Sequence, residues 1–413
     1  MLEKEVKAVK KSQMIYYIDQ TSEKNHHMVF NAAMITMLYE VYQADEIHYI
    51  GIKSNQAATN SILKPQVRDV VVCKEIKYPI SPGNKIAKTV VFLYKELIRL
   101  VNFVKILTQA KPNDIIVLSV TTVTTFFLFR VIKLLFRTTT FAVLHGDIDF
   151  LYNATNNYEK FNAFLHKRIF KYKQASFKFI LINKISKERL IKDGLLKAEQ
   201  IIEINHSFTL SEPNLFENNL KAFDKINIGH IGSMEVERKN SHLLYDLAHY
   251  FAKEIAKKEI EFATIGLITP NILPFKNDLV VEKTGNSKPH QPDYLDRTEY
   301  ETYCAALHFT IFFYDQNQYV FRTSGAVIDT IAMKIPVIGF RHPFFEYIQN
   351  QVGPIGYFFD DLADVKKQLP VILANKTQLK MDYLDFKQNL EQANSLFSLP
   401  SIAADFKNQT SQT

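Results

Sequence analysis

Cysteine is almost absent: among 413 residues only Cys73 and Cys304 occur, far apart in the chain. That scarcity excludes a disulfide framework, and the spacing fits neither a zinc site nor a redox pair, so two inert core thiols in a reducing compartment are expected. The opening MLEKEVKAVKKSQ lacks the apolar centre of a secretory leader, which points to a cytoplasmic protein. Internal repeats are missing, and the only low-complexity tract is the short polar NQTSQT at 408–413. Also missing are runs of Lys and Arg interleaved with base-stacking aromatics, so nucleic acid is not an expected partner. The longest apolar run, Ile115 to Phe136, is interrupted by Arg130 and Lys133 and begins with β-branched residues. It reads as a buried strand followed by a helix, not as a membrane span.

The composition that remains is globular, with 47% apolar and 23% charged residues. The length exceeds one ordinary core, so two domains of roughly 200 residues each are expected. Fifty basic against 43 acidic residues give a net charge of +7, which favours phosphates or a lipid surface as partners.

Short Ile-, Val- and Phe-rich runs alternate with helical patterns along most of the chain, the mark of parallel sheets built from βαβ units, and the fold class is therefore α/β. In the first half the strand candidates are 14–19, 46–51, 70–73, 114–120, 139–145, 177–183 and 200–206. Helices are expected at 29–42 and 86–109. A polar stretch broken by Pro213 suits a linker over 209–224. It separates a first domain, 1–208, from a second, 225–374, in which strands are expected at 226–233, 261–268, 309–315 and 335–340 and helices at 240–258 and 325–333. Residues 375–413 form a helical tail expected to pack back across the domains. Two consecutive doubly wound domains with ligand loops at the carboxyl ends of their strands suggest a cleft enzyme.

One stretch of the second domain is unusual. In SGAVIDTIAMKIPVIG, which starts at Ser324, the acid Asp329 stands one turn into an otherwise apolar helix. Small residues open that helix, and a helix start carries free N–H groups and partial positive charge, so it is an anion site. The acid lies seven residues before Pro336, the spacing seen in the nucleotide-sugar motif of GT-B glycosyltransferases, and the segment resembles that motif. GHIGSMEVERKNSHLL, from Gly229 to Leu244, resembles the opening of the donor domain of the same enzymes: a strand, a Gly-Ser turn, a basic pair and a helix. The resemblance implies two Rossmann-like domains facing a cleft. It implies a donor site in which Gly232, Ser233, Ser324 and Gly325 with the cations Arg238, Lys239 and Arg322 receive the diphosphate, while Asp329 accepts ribose hydroxyls. Retaining members carry two glutamates with seven residues between them, and the position matching the first is Phe321.

In the first domain His145 and Asp147, in LHGDIDF, follow a predicted strand and so face the crevice, where His or Asp removes a proton from an acceptor hydroxyl or holds the donor sugar. Asn25, His26 and His27 follow the first strand and are candidates for acceptor contact. Metal binding is not expected there, because adjacent residues at a helix start point in different directions. His206 ends the last strand of this domain and reads as a hinge or structural residue. A stripe of Lys88, Lys95, Arg99 and Lys105, with Arg130, Lys133 and Arg137, is expected to rest on an anionic membrane and meet a lipid-linked acceptor.

These readings converge on a cytoplasmic, metal-independent glycosyltransferase that uses a nucleotide diphosphate sugar as substrate, needs no cofactor, and acts on a glycan or lipid-linked glycan. Two rivals stay open: an inactive binding or partner subunit of the same fold, and a sugar epimerase or hydrolase.

Overall fold

The computed structural model describes residues 13–80, 83–182, 184–206, 208, 210–217, 221–285, 295–316 and 321–411, with the backbone alone for Lys85, Asp147 and Lys184. The charged opening segment 1–12 and the residues Tyr319 and Val320 before the apolar helix lie outside the described residues.

The first sheet comprises β1 (Met14–Asp19), β2 (Glu46–Gly51), β3 (Val71–Glu75), β4 (Ile115–Val120), β5 (Thr139–Leu144), β6 (Phe177–Leu181) and β7 (Ile201–Glu203). Its order is β3-β2-β1-β4-β5-β6-β7, and its pairings are parallel. The second comprises β8 (Ile226–Ile231), β9 (Ile260–Ile265), β10 (Val280–Lys283), β11 (Phe309–Phe312), β12 (Val337–Phe340) and β13 (Gly356–Phe359). Its order is β10-β9-β8-β11-β12-β13, again parallel. Runs such as IIVLSV form these strands because helices cover both faces of a parallel sheet and leave no position for a solvated side chain. In each sheet the order reverses beside the first strand, at β1/β4 and at β8/β11, and ligands bind at the carboxyl ends beside such a reversal.

Lys85–Gln109, Val123–Lys133 and Asn157–Lys171 cover one face of the first sheet, burying Phe103, Phe129 and Ile169 against Ile116 and Phe179. Met28–Tyr42 covers the other face, joined by the C-terminal helix Leu399–Ser411. Phe406 of that last helix is fully buried, its ring 5.3 Å from Phe141 and 6.2 Å from Tyr42. Gln409 accepts from the Glu203 N–H at 2.9 Å and donates to the Glu203 carbonyl at 2.7 Å, pairing the open edge of β7. The preceding helix, Lys376–Leu396, packs on the second sheet instead.

Three expectations are corrected. β10 and β13 were not anticipated, and the helix expected over 240–258 is two shorter ones, Leu243–Tyr250 and Ala252–Ala256. Phe251 leaves helical dihedrals between them and is buried 5.8 Å from Phe262. The supposed basic membrane stripe is partly internal. Arg99 pairs with Glu96, Arg130 is 1% exposed and donates to Gln174 Oε1 and the Tyr172 carbonyl, and Lys133 is 0% exposed and donates to the Phe136 carbonyl and Ser176 Oγ. These groups bind the chain where the helices end, and a charge held by carbonyls beneath a core does not reach a lipid headgroup.

Candidate functional site

A buried polar knot under β1 positions the first wall of the site. Asp19 ends the strand and its Oδ1 accepts from the N–H groups of Thr21 and Ser22, while Oδ2 accepts from Asn31 Nδ2 at 2.8 Å. Asn31 also accepts from Tyr17, and Asn55 Nδ2 donates to the Lys24 and His26 carbonyls. The loop is thereby tied to the sheet at both ends, with Lys24 and His27 in the left-handed region at φ 49° and 58°. Asn25, His26 and His27 consequently stand at the mouth of the crevice.

His145 follows β5 and joins a run of rings. His26 and His27 are 4.1 Å apart between centroids, His27 and His145 4.8 Å, His145 and Phe30 5.1 Å, and Phe30 and His206 5.0 Å. A hydrogen bond to the Ser119 backbone holds the His145 ring, yet burial, with His206 nearby, pushes its pKa down to about 3. The ring is neutral near pH 7, and its Nε2 has no hydrogen-bond partner. Burial lowers His26 and His27 as well, the latter well below the ordinary histidine value, with His145 a second cause. The three crowded imidazoles of His26, His27 and His145 thus remain uncharged. Among the described residues no group of three or more His, Cys, Asp or Glu side chains is placed to hold a metal ion.

The second domain supplies the opposite wall. Gly232, at φ +83°, follows β8, and Gly266, at φ +129°, follows β9. A Cβ on Gly266 would stand 2.5 Å from the Gly232 carbonyl oxygen, and one on Gly232 would stand 3.0 Å from the Ala326 Cβ. Only glycine allows the two turns to nest against the start of the Gly325–Ala332 helix. Ser324 caps that helix, its Oγ accepting from the Val327 N–H at 3.4 Å and sharing a 2.7 Å bond with the Tyr314 hydroxyl. A Cβ at Gly325 would meet nothing within 4 Å, so the first turn opens into space.

Asp329 lies one turn further in. Arg297 Nη2 donates to its Oδ1 at 2.8 Å and Nη1 to its Oδ2 at 3.0 Å, and the Tyr300 hydroxyl donates to Oδ2 at 3.2 Å. The Arg297 side chain is 10% exposed and also pairs with the fully buried Glu301 at 2.6 Å. Burial by itself lowers the Arg297 pKa, but the charge and hydrogen bonds of Asp329, together with Tyr300 and Glu301, outweigh it and the guanidinium ends well above its ordinary value. Glu301 in turn accepts from the Ser211 and Glu212 N–H groups at 3.0 and 2.7 Å, which fastens the stretch between the two sheets to this network.

The residues just before the helix touch the first domain. Phe321 stacks on Tyr152 at 4.6 Å and 14°, Arg322 Nε pairs with Asp149 at 3.3 Å, and Thr323 Oγ1 donates to the Ile182 carbonyl at 3.0 Å. Gly146 makes room for the arginine, since a Cβ there would lie 2.6 Å from Arg322 Cγ.

A cavity of about 610 Å³ between the sheets collects most of the residues singled out in the sequence: Asn25, His26, His27, His145, Gly232, Ser233, Arg322, Gly325 and Asp329 all line it. His206 lines it as well, beyond the structural role expected for it. Ser324 sits behind the wall as a cap, 3% exposed. Asp147 belongs to the turn after His145, and its side chain lies outside the described residues. Arg238 and Lys239 are not brought to the lining. Arg238 pairs with Glu235 at 2.8 Å, and Lys239 is buried, donating to the Ser233 carbonyl and Oγ at 2.9 and 3.1 Å. Burial pushes the Lys239 pKa down to about 8. It holds the Gly-Ser turn from behind, and the cation beside Asp329 is Arg297, which sequence reasoning missed together with Tyr300. Asp-Arg-Thr-Glu at 296–299 announces a helix start, but nothing local pairs it with an acid 32 residues on.

The chain matches no family profile and no curated protein. Its fold does have solved counterparts. Sucrose-phosphate synthase from Thermosynechococcus elongatus aligns with a TM-score of 0.63 at 13% identity, over 97% of this chain and 98% of that one. HepE from Anabaena in complex with UDP aligns at 0.62 and 11%, over 97% and 100%. A putative UDP-N-acetylglucosamine 2-epimerase from Listeria monocytogenes aligns at 0.55 and 14%, over 98% of each. At such identities the likeness is one of architecture: two Rossmann-like domains facing a cleft.

Proposed function

We propose that this protein, a chain of GT-B fold, transfers a sugar from a nucleotide diphosphate sugar to a hydroxyl of a glycan, free or lipid-linked. The observation that carries the reading is the single cavity in which an open helix start, a bound carboxylate and a neutral imidazole from the facing domain meet. The N–H groups of Gly325 and Ala326 lie in the first helical turn, where intrahelical partners are lacking, and they suit the diphosphate. Arg322 adds a cation from the same lining. As the bond to the sugar breaks, these groups hold the charge that builds on the leaving diphosphate, so the transfer is assigned without metal or cofactor.

Asp329 has room for one ribose hydroxyl. A carboxylate offers about four acceptor positions, and Arg297 and Tyr300 occupy three of them, leaving one on Oδ1. His145 lines the same cavity, and its buried Nε2 has no hydrogen-bond partner. A group with a pKa of about 3 is a weak base at neutral pH, so its fitting role is to accept a hydrogen bond from a sugar hydroxyl. Asn25, His26 and His27 are assigned to the acceptor side, and Asp147 joins His145 at the reaction centre. Cys304 is a buried thiol as expected, whereas Cys73, at the outer edge strand β3, is exposed and not a core residue; both are free, which accords with a cytoplasmic location.

A nucleotide-sugar epimerase or hydrolase is the second reading, favoured by Phe321 in place of an acid and by the fold of the Listeria protein. A panel of UDP, GDP, dTDP, ADP and CMP in chelator-treated buffer tests the donor site. A ligand at about a hundred times its Kd adds near 2.7 kcal/mol to stability, and if none of the five raises the melting temperature the proposal fails. Release of nucleoside diphosphate that depends on added acceptor then supports transfer. Altered nucleotide sugar or free sugar without acceptor supports the second reading.

A further inference from the structure

The Lys85–Gln109 helix buries one side in the first domain and leaves an apolar stripe on the other. Ile86, Val90, Leu93, Leu97, Val101 and Val104 recur at spacings of three and four and are 81%, 61%, 61%, 54%, 57% and 37% exposed. At a rise of about 1.5 Å per residue this stripe runs some 27 Å. The neighbouring helices extend it, with Leu128 and Val131 on Val123–Lys133 and Phe161 and Phe164 on Asn157–Lys171 exposed by 37–50%. The three helices lie side by side on one face of the first sheet. Contiguous apolar surface on this scale marks an interaction site.

Charge decides what kind of surface covers it. Over residues 83–137 the only acids are Glu96 and Asp114, 7% and 3% exposed. Glu96 is paired with Arg99, and Asp114 accepts from the backbone of Met14 and Lys111. Lys88, Lys105, Lys111 and Arg137 in the same stretch are exposed, as are Lys167, Arg168 and Lys171 on Asn157–Lys171. An exposed apolar stripe flanked by cations, with its acids withdrawn into the core, complements a surface that is apolar within and negative at its rim. No helix among the described residues is long and apolar enough to cross a membrane, so the contact is one of lying in the interface.

We propose that this face of the first domain docks on an anionic lipid bilayer, the stripe from Ile86 to Val104 entering the acyl boundary while the lysines and Arg137 meet the headgroups. The residues that insert are apolar and differ from the basic stripe expected from sequence, in which Arg99, Arg130 and Lys133 are internal. The helix follows β3, and a helix after a parallel strand begins at that strand's carboxyl end, so the Ile86 end of the stripe lies toward the cleft. Docking through this face would set the mouth of the cavity beside the bilayer. The surface is independent of the transfer reaction, and its test needs no turnover.

Vesicle flotation of the full chain at low salt provides the test, with phosphatidylcholine alone and with phosphatidylcholine mixed with phosphatidylglycerol. Wild type is expected to float with the mixed vesicles and to remain mostly unbound with the neutral ones. Leu93→Glu, Leu97→Glu and Val101→Glu combined should cut vesicle binding by about tenfold or more with the circular dichroism unchanged, as these side chains support no core. Lys88→Gln with Lys105→Gln and Arg137→Gln should lose about tenfold on the anionic vesicles. Wild type that stays unbound on mixed vesicles overturns the proposal, as does a triple-Glu variant that floats like wild type. So does a wild-type dimer that the triple-Glu change converts to monomer without any vesicle binding, which would mean that the stripe is covered by a second copy.

Discussion

Arg297 holds both carboxylate oxygens of Asp329, at 2.8 and 3.0 Å, with side chains only 10% and 14% exposed. An acid in an apolar helix is therefore no isolated charge, because it balances an arginine that a second acid, Glu301, also grips. The pair gives Asp329 a structural duty in the free protein as well as the ribose contact proposed for it. Asp329→Asn leaves Arg297 its bond to Glu301 and should lower stability by about 1–3 kcal/mol. The same change should weaken nucleotide diphosphate binding by about ten- to a hundredfold. Arg297→Met strands two carboxylates and should cost about 3–5 kcal/mol. Urea unfolding and nucleotide titration of each variant check this, and an Asn variant that binds nucleotide like wild type would leave the acid with the structural duty alone.

Phe321, which the sequence resemblance sets at the place of an acid, has its ring stacked on Tyr152 and 8% exposed. Phe321→Ala should therefore cost about 3 kcal/mol in thermal or urea unfolding. Phe321→Glu should cost more, since it presses an unpaired carboxylate against an aromatic face, and it should bring no gain in turnover. A Glu variant that is both stable and faster would remove the view that this position has become a domain contact.

Gly266→Ala puts a methyl where 2.5 Å separates it from the Gly232 oxygen, at a φ of +129° that L side chains rarely adopt. We expect a loss of about 1–3 kcal/mol, accompanied by weaker nucleotide binding because Gly232 abuts the start of the Gly325–Ala332 helix, proposed above to hold the diphosphate. Calorimetric melting with and without nucleotide measures both effects, and unchanged binding would uncouple the glycine turn from the donor site.

Buried histidines make stability depend on pH in a stated direction. Burial lowers His145 and His230 to about 3 and His308 to about 4, with His206, Lys239 and Lys221 respectively adding repulsion. The unfolded chain takes up protons below about 6.5, which the folded chain refuses until its own lower values are reached. Their neutral burial thus contributes fully above 6.5, and that contribution is lost as pH falls from 6.5 toward 3, by about 1.4 kcal/mol per unit for each group. Urea midpoints should drop steeply between about pH 6.5 and 4. His230→Gln lies outside the cavity lining and should flatten the slope by one proton without altering nucleotide affinity. A midpoint independent of pH in this window would contradict the assignment.

What the sequence disclosed, and what it withheld, follows from burial. β1 is a largely apolar run covered on both faces, β2 sets Ile47, Tyr49 and Ile50 inside beside partly exposed Glu46 and His48, and the limits of both are those read from the residues alone. β10 and β13 escaped notice because they are the two edges of the second sheet, where VVEK and GYFF are short and half-covered. Most of the cavity residues were legible because parallel strands deliver their carboxyl ends to one crevice. Arg297 was not, since its partner is fixed only when its helix packs beside Gly325–Ala332. Lys239 and Arg130 were misjudged for a related reason: a basic side chain reads as free to meet an anion, the diphosphate for Lys239 and a membrane for Arg130, whereas here carbonyl oxygens hold each of them inside.

The helix Leu399–Ser411 completes the core of a sheet whose own last strand ends at Glu203, with the whole second sheet made in between. During synthesis the first domain therefore waits with the Phe141 side of its sheet half covered until residues 399–411 have left the ribosome. Assembly of the two halves is in that sense a clasp closed last. Nascent chains arrested before residue 399 should be cut by protease near the Met28–Tyr42 helix, and addition of a peptide spanning 399–411 should protect them.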